Sequence, residues 1–138
     1  MATITREIAI DATPEAVWEV VSDFVGGPMR MAGSVFTDCR LTAPDTRRLT
    51  FADGTQASER FVARDDARRR MVWSWAAEEV VHDSTSMQVF PADDGCARLM
   101  WTHDTLPDEL SVWLGVTMDE LAPIFQRSLA RPTDAASV

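Results

Sequence analysis

The stretch Met1-Ala2-Thr3-Ile4-Thr5-Arg6-Glu7-Ile8-Ala9-Ile10-Asp11-Ala12-Thr13-Pro14-Glu15-Ala16-Val17-Trp18-Glu19-Val20-Val21-Ser22-Asp23-Phe24 changes its period halfway along. Up to Asp11 it alternates. Ile4, Arg6, Ile8 and Ile10 fall on one side of an extended chain, with Thr5, Glu7, Ala9 and Asp11 on the other. After Pro14 the period is helical, and Val17, Val21 and Phe24, with Trp18 alongside, form an apolar stripe. The junction supplies the stop and the start. The Thr13 hydroxyl can cap the first free N–H groups, and Pro14 stands where a first helical residue has no N–H to lose. One strand, one tight junction and one helix are expected.

Beyond Phe24, Val25-Gly26-Gly27-Pro28 breaks regularity, and Met29 to Gly33 reads as short and flexible. Strand-like segments follow at 35–42, 47–51, 55–64, 71–79, 85–90 and 97–105. Ala43-Pro44-Asp45, Ala52-Asp53-Gly54, Asp65-Asp66-Ala67 and Asp93-Asp94-Gly95 lie between them as turns. Short turns between adjacent strands imply an antiparallel meander. Pro107-Asp108-Glu109 then opens a helix, along which Leu110, Trp113, Leu114, Thr117, Leu121, Ile124, Phe125 and Leu129 recur at helical spacing. Pro123 removes one backbone hydrogen bond, so a kink or break is expected just before it. The domain is read as residues 1–131, with a frayed tail at 132–138. An antiparallel sheet buries one face and needs a cover, and the helical regions are the covers available. Space remains between sheet and helix wherever the facing side chains do not fill it.

With 138 residues and a formal charge of −9, the chain is one domain with no basic footprint for nucleic acid. The cluster Arg68-Arg69-Arg70, with Arg64 and two aspartates beside it, reads as a solvated hairpin end. No apolar run approaches a membrane span, and no secretory leader is visible. Cys39 and Cys96 read as two ordinary thiols of a cytoplasmic protein. No metal-ligand spacing, phosphate loop or nucleophile elbow is present, so neither metal nor cofactor is expected.

The wording Ile10-Asp11-Ala12-Thr13-Pro14-Glu15-Ala16-Val17-Trp18-Glu19-Val20-Val21-Ser22-Asp23-Phe24 resembles the opening of the START-like, helix-grip proteins, the SRPBCC superfamily. Gly54-Thr55-Gln56-Ala57-Ser58-Glu59-Arg60-Phe61 looks like the "G…v.E" strand of its polyketide cyclase/dehydrase-like branch, and Arg98-Leu99-Met100-Trp101 like its "…v.W" strand. The order of these segments covers essentially the whole chain. The resemblance implies an α+β helix-grip fold: a curved antiparallel sheet of about seven strands wrapped around a long C-terminal helix, with a short helical region after the first strand. It also implies a hydrophobic pocket between them. One departure stands out. Members commonly carry a tryptophan-containing loop after the first helix that helps form the pocket mouth, and here that place reads Gly26-Gly27-Pro28-Met29-Arg30-Met31.

Alternation nominates the pocket walls. Ala57, Glu59, Phe61 and Ala63 share a face opposite Arg60 and Arg64, which makes theirs the inner face. Trp73 and Trp75 point one way, as do Thr85, Met87 and Val89, and likewise Leu99, Trp101 and His103. Trp73, Trp75, Trp101, Trp113, Phe61, Met87, Thr117 and Leu121 are thus the candidate ligand-binding residues. Five tryptophans and no tyrosine suit a planar, aromatic ligand or fill a core, and the methionines favour binding breadth.

Glu59 and His103 are the candidate catalytic residues, able to move protons in a cofactor-free cyclisation, dehydration or enolisation. The competing reading pairs Glu59 with an arginine such as Arg47 or Arg6 and leaves His103 half exposed near a strand end. Three functions remain open. The first is a polyketide cyclase/dehydrase-like protein, and the second a non-catalytic carrier or sensor of an apolar metabolite. The third is a partner-binding module, against which the charged strand faces argue. A hydrophobic small molecule is the expected partner, with no nucleic acid, no membrane insertion, and a monomer or homodimer.

Overall fold

The computed structural model describes residues 1–132, so most of the tail expected at 132–138 lies outside the described residues. Seven strands form one antiparallel sheet: β1 (Ala2–Ile10), β2 (Phe36–Ala43), β3 (Thr46–Phe51), β4 (Gln56–Asp65), β5 (Arg70–Ala76), β6 (His82–Pro91) and β7 (Ala97–Leu106). Their spatial order is β1-β7-β6-β5-β4-β3-β2. Consecutive strands from β2 to β7 are neighbours, and β1 closes on β7 with Ile4 opposite His103 and Ile8 opposite Leu99. The helices are α1 (Pro14–Val21), α2 (Gly27–Met31) and α3 (Leu110–Leu129). This is the α+β arrangement that the order of elements implies.

The opening stretch folds as its period dictates. Ile8 and Ile10 are buried while Thr5, Glu7 and Ala9 face solvent. The Thr13 hydroxyl accepts from the Ala16 N–H at 3.2 Å, and Pro14 is the first helical residue. Arg6, on the inward side, reaches α3 and donates to Asp119 at 2.6 Å. Ile10, Val17, Val89, Leu99 and Met118 are almost wholly buried together where α1 and α3 meet β1, β6 and β7. Each such side chain contributes roughly 1.5–3 kcal/mol by leaving water.

Several expectations need correction. Helix α1 ends at Val21, so Phe24 lies beyond it, held by tertiary contacts. The segment after Phe24 is not irregular, because Gly27–Met31 makes a short helix packed on α1, α3 and β2. Gly27 permits that approach, since a Cβ there would lie 2.6 Å from the Val20 carbonyl oxygen. Strand β5 stops at Ala76, short of Glu79, and β6 begins at His82 rather than Thr85. Helix α3 runs unbroken through Pro123. Leu121, Phe125 and Leu129 stay buried on both sides of it, and their packing outweighs the single hydrogen bond that proline removes. Cys39 and Cys96 are free thiols, as expected, and burial pushes Cys39 up from its ordinary pKa.

Candidate functional site

Helix α3 packs along β1, β7 and α2, so the inner faces of the middle strands are left facing a space. That space is a cavity of about 710 Å³. Its floor is Leu49, Met71, Trp73, Met87 and Trp101 from the sheet, and Met31, Leu114, Leu121 and Phe125 close it from α2 and α3. Of the residues nominated from sequence, Glu59, His103, Trp73, Trp75, Met87, Trp101, Trp113, Thr117 and Leu121 all line it. Phe61 does not. It shares Glu59's face, but the chain between α1 and α2 covers it, with the Phe24 ring edge-on at 5.6 Å. Phe61 lines a separate shallow depression with Phe24, Val25 and Arg64.

Two polar constellations interrupt the apolar wall. In the first, Arg47 on β3 sits opposite Glu59 on β4. Its Nε and terminal nitrogen donate to Glu59 Oε1 at 2.9 and 2.7 Å. The other carboxylate oxygen accepts from Trp73 Nε1 at 3.1 Å. The guanidinium also donates to the Phe24 carbonyl at 2.6 Å and lies between the Phe24 and Trp73 rings, 4.3 and 4.9 Å from their centroids. Both oxygens of Glu59 are therefore occupied. Arg47, not Arg6, is its partner.

The second constellation is on β6 and β7. His103 is buried, opposite Thr85 in the strand register. Its Nδ1 lies 2.9 Å from Asp83 Oδ2 and 3.0 Å from Thr85 Oγ1, and the Thr85 hydroxyl donates to Asp83 Oδ1 at 2.7 Å. With that hydroxyl proton committed to Asp83, Nδ1 is the donor and carries its hydrogen toward the carboxylate. In the neutral ring the lone pair then resides on Nε2, which has no protein partner among the described residues. The Asp83 side chain is 0% exposed. His103 is thus a buried, backed imidazole and not a half-exposed residue.

No hydrogen bond joins the two constellations among the described residues, and strands β5 and β6 lie between β4 and β7. Sequence reasoning misses Asp83 because it starts β6 at Thr85, three residues after His82. Continuing the Thr85, Met87, Val89 alternation backward places Asp83 on the same face.

The exposed part of the lining marks the mouth. It consists of Asp53, Thr55 and Gln56 at the β3–β4 hairpin, Ala76 at the end of β5 and Glu79 beyond it, and Trp113 and Glu120 on α3. Trp75 and Trp113 stack there at 5.6 Å, 29° from parallel. Hydrogen bonds from Thr55 hold the Asp53 carboxyl below its ordinary pKa. The segment Gly26 to Met31 contributes buried wall through Gly27, Pro28 and Met31, and no exposed rim. Among the described residues, no group of three or more His, Cys, Asp or Glu side chains could hold a metal ion. No helix there is long and apolar enough to cross a membrane.

The sequence model of a family described as polyketide cyclase/dehydrase and lipid transport matches residues 1–135. No curated protein matches. Among solved structures, the protein XoxI from Bacillus cereus is similar at 22% identity and a TM-score of 0.78, covering 94% of this chain and 96% of its own. The ZhuI aromatase/cyclase from Streptomyces sp. R1128 is 18% identical with a TM-score of 0.72, covering 93% and 90%. A START superfamily protein from Mycobacterium smegmatis is 16% identical with a TM-score of 0.72, covering 92% and 96%. At these identities the likeness is one of fold, and that fold is the helix grip.

Proposed function

This chain belongs to the polyketide cyclase/dehydrase and lipid transport family, and from that premise we propose that it encloses a small hydrophobic, ring-bearing molecule and transfers protons on it without a cofactor. The observation that supports this is the backed imidazole in the cavity wall. Asp83 holds Nδ1–H, so Nε2 is free to take a proton from a carbon next to a ligand carbonyl. His103 is the catalytic residue in this reading, and Asp83 is its positioning residue. Glu59 serves as a structural anchor, because Arg47 and Trp73 occupy both of its oxygens. The proton leaves carbon for Nε2 and the electron pair moves to the carbonyl oxygen. The enolate then either takes the proton back at carbon or attacks a second carbonyl, whose oxygen becomes an alkoxide and takes the proton from the Nε2 imidazolium.

The same engagement of Glu59 favours a second reading, in which no acid complements the imidazole and the protein is a carrier or sensor. Exchange of the α-protons of 2-tetralone in heavy water, followed by NMR, separates the two. Acceleration by the wild type, lost in His103→Gln and slowed at least about tenfold in Asp83→Asn, supports catalysis. Binding of 2-tetralone with no acceleration supports the carrier. Binding itself is read from the fluorescence of N-phenyl-1-naphthylamine. Thr117→Trp, which fills the cavity, is expected to abolish that signal while circular dichroism stays unchanged.

A further inference from the structure

The charge on this protein is unevenly balanced, and part of the imbalance falls at the cavity. The chain contains no lysine, and ten of its thirteen arginines pair with a carboxylate among the described residues. Arg6 pairs with Asp119, Arg30 with Glu19, Arg60 with Asp45, Arg64 with Asp66, Arg68 with Asp65 and Arg69 with Glu15. The charged residues on the mouth are Asp53, Glu79 and Glu120, all exposed, and none forms an ion pair among the described residues. They come from three separate parts of the chain, the β3–β4 hairpin, the β5–β6 connection and α3, and are not a run of sequence. The cavity has one guanidinium in its lining, Arg47, and Glu59 already neutralises it. An anion entering here meets carboxylates at the rim and finds no free cation within.

The second observation is aromatic. Trp75 and Trp113 stack at the same mouth, and Trp113 is 55% exposed although it is the largest side chain on its helix face. Indole faces attract cations, and attract them more strongly where neighbouring carboxylates raise the negative potential.

We propose that the cavity selects a ligand bearing a positive charge, an alkylammonium on an aromatic or polycyclic body, with the body inside and the charge held between the three rim carboxylates and the tryptophan pair. The inference rests on the cavity reading above and adds the charge of the ligand to it. Fatty acids, phosphorylated compounds and other anions are disfavoured.

Three probes of one shape test it by isothermal titration calorimetry: 2-naphthylmethylammonium, 2-naphthalenemethanol and 2-naphthoate. At low salt the ammonium should bind at least about tenfold tighter than the carboxylate, with the alcohol between them, and the ratio should shrink as salt rises. The triple variant Asp53→Asn, Glu79→Gln, Glu120→Gln should bring the ratio close to one. Asp93→Asn with Asp94→Asn, which lowers the net charge away from the mouth, should leave it in place. A carboxylate that binds as tightly as the ammonium overturns the charge assignment while leaving the cavity standing. So does a ratio unmoved by the triple variant, or equally moved by the distant one. Failure of all three probes to bind overturns the cavity reading and this inference together. If the triple variant does not fold, Glu120→Gln alone, on an exposed helix face, carries the same comparison with a smaller drop.

Discussion

At the scale of single residues, Arg47 has the heaviest structural duty in the cavity wall. Its side chain is 4% exposed, and it joins Glu59, the Phe24 carbonyl and two aromatic faces. Truncating it leaves the Glu59 carboxylate, 14% exposed, without its counter-charge. Arg47→Met is expected to cost about 3 kcal/mol in urea unfolding, since breaking one side of a buried pair strands the other. Adding Glu59→Gln should recover part of that loss, because the stranded charge is then removed. Full additivity of the two substitutions would show that they do not interact. Glu59 was legible in the sequence as a carboxylate on an apolar face, and pairing with Arg47 was one of two partners open to it. What the pattern could not supply was the choice between Arg47 and Arg6. That depends on β3 lying beside β4 in the register that sets Arg47 opposite Glu59.

At the scale of elements, α1 and α3 show how local signals and packing compete. For α1 the local signals win at its start, and Thr13→Ala should cost about 1 kcal/mol, with Thr13→Ser nearly neutral. Its end is tertiary. Arg64 of β4 donates to the carbonyl of the C-cap residue Ser22 at 3.1 Å, and Arg47 of β3 holds the chain just beyond it at the Phe24 carbonyl. For α3 the local signal loses. Pro123 is exposed and leaves the Asp119 carbonyl without its helical donor, yet the helix continues because its inner face is packed. Pro123→Ala should therefore stabilise the protein by about 1–3 kcal/mol, seen as a rise of several degrees in the thermal midpoint. A fall would mean that the proline relieves some constraint of the packed helix.

At the scale of the whole molecule, acid stability follows from the surface ion pairs. Arg30 holds the Glu19 carboxyl below its ordinary pKa, as Arg60 does for Asp45 and Arg64 for Asp66, and the Arg6 hydrogen bond does so for Asp119. A carboxyl with a depressed folded pKa contributes stability that is complete above its unfolded value, near 4, and is lost as pH falls through the folded value. Titration from neutrality toward the isoelectric region near 4.5 relieves the repulsion of a chain carrying −9 before those pairs are protonated. Thermal unfolding should thus hold or gain stability from pH 7 to about 5 and lose it below about 4. The acid loss should be smaller in high salt because these carboxylates are exposed. A midpoint that drops steadily from pH 7 downward would contradict this account.

The sequence by itself determined the strand-to-helix opening, the meander, the seven-stranded α+β outline and most of the cavity wall. Each of these rests on a period, a cap or a turn within a few residues, and such signals are readable one segment at a time. Only the tertiary structure decided that Phe61 is covered and that Glu59 is bound by Arg47. It also decided that His103 stands apart from Glu59 and is backed by Asp83, and that the acidic mouth lies between β3–β4, β5–β6 and α3 rather than at residues 26–33. These are relations between different strands and helices, fixed by register and by which helix covers which part of the sheet. A residue's face can be read from its own strand. Its partner cannot.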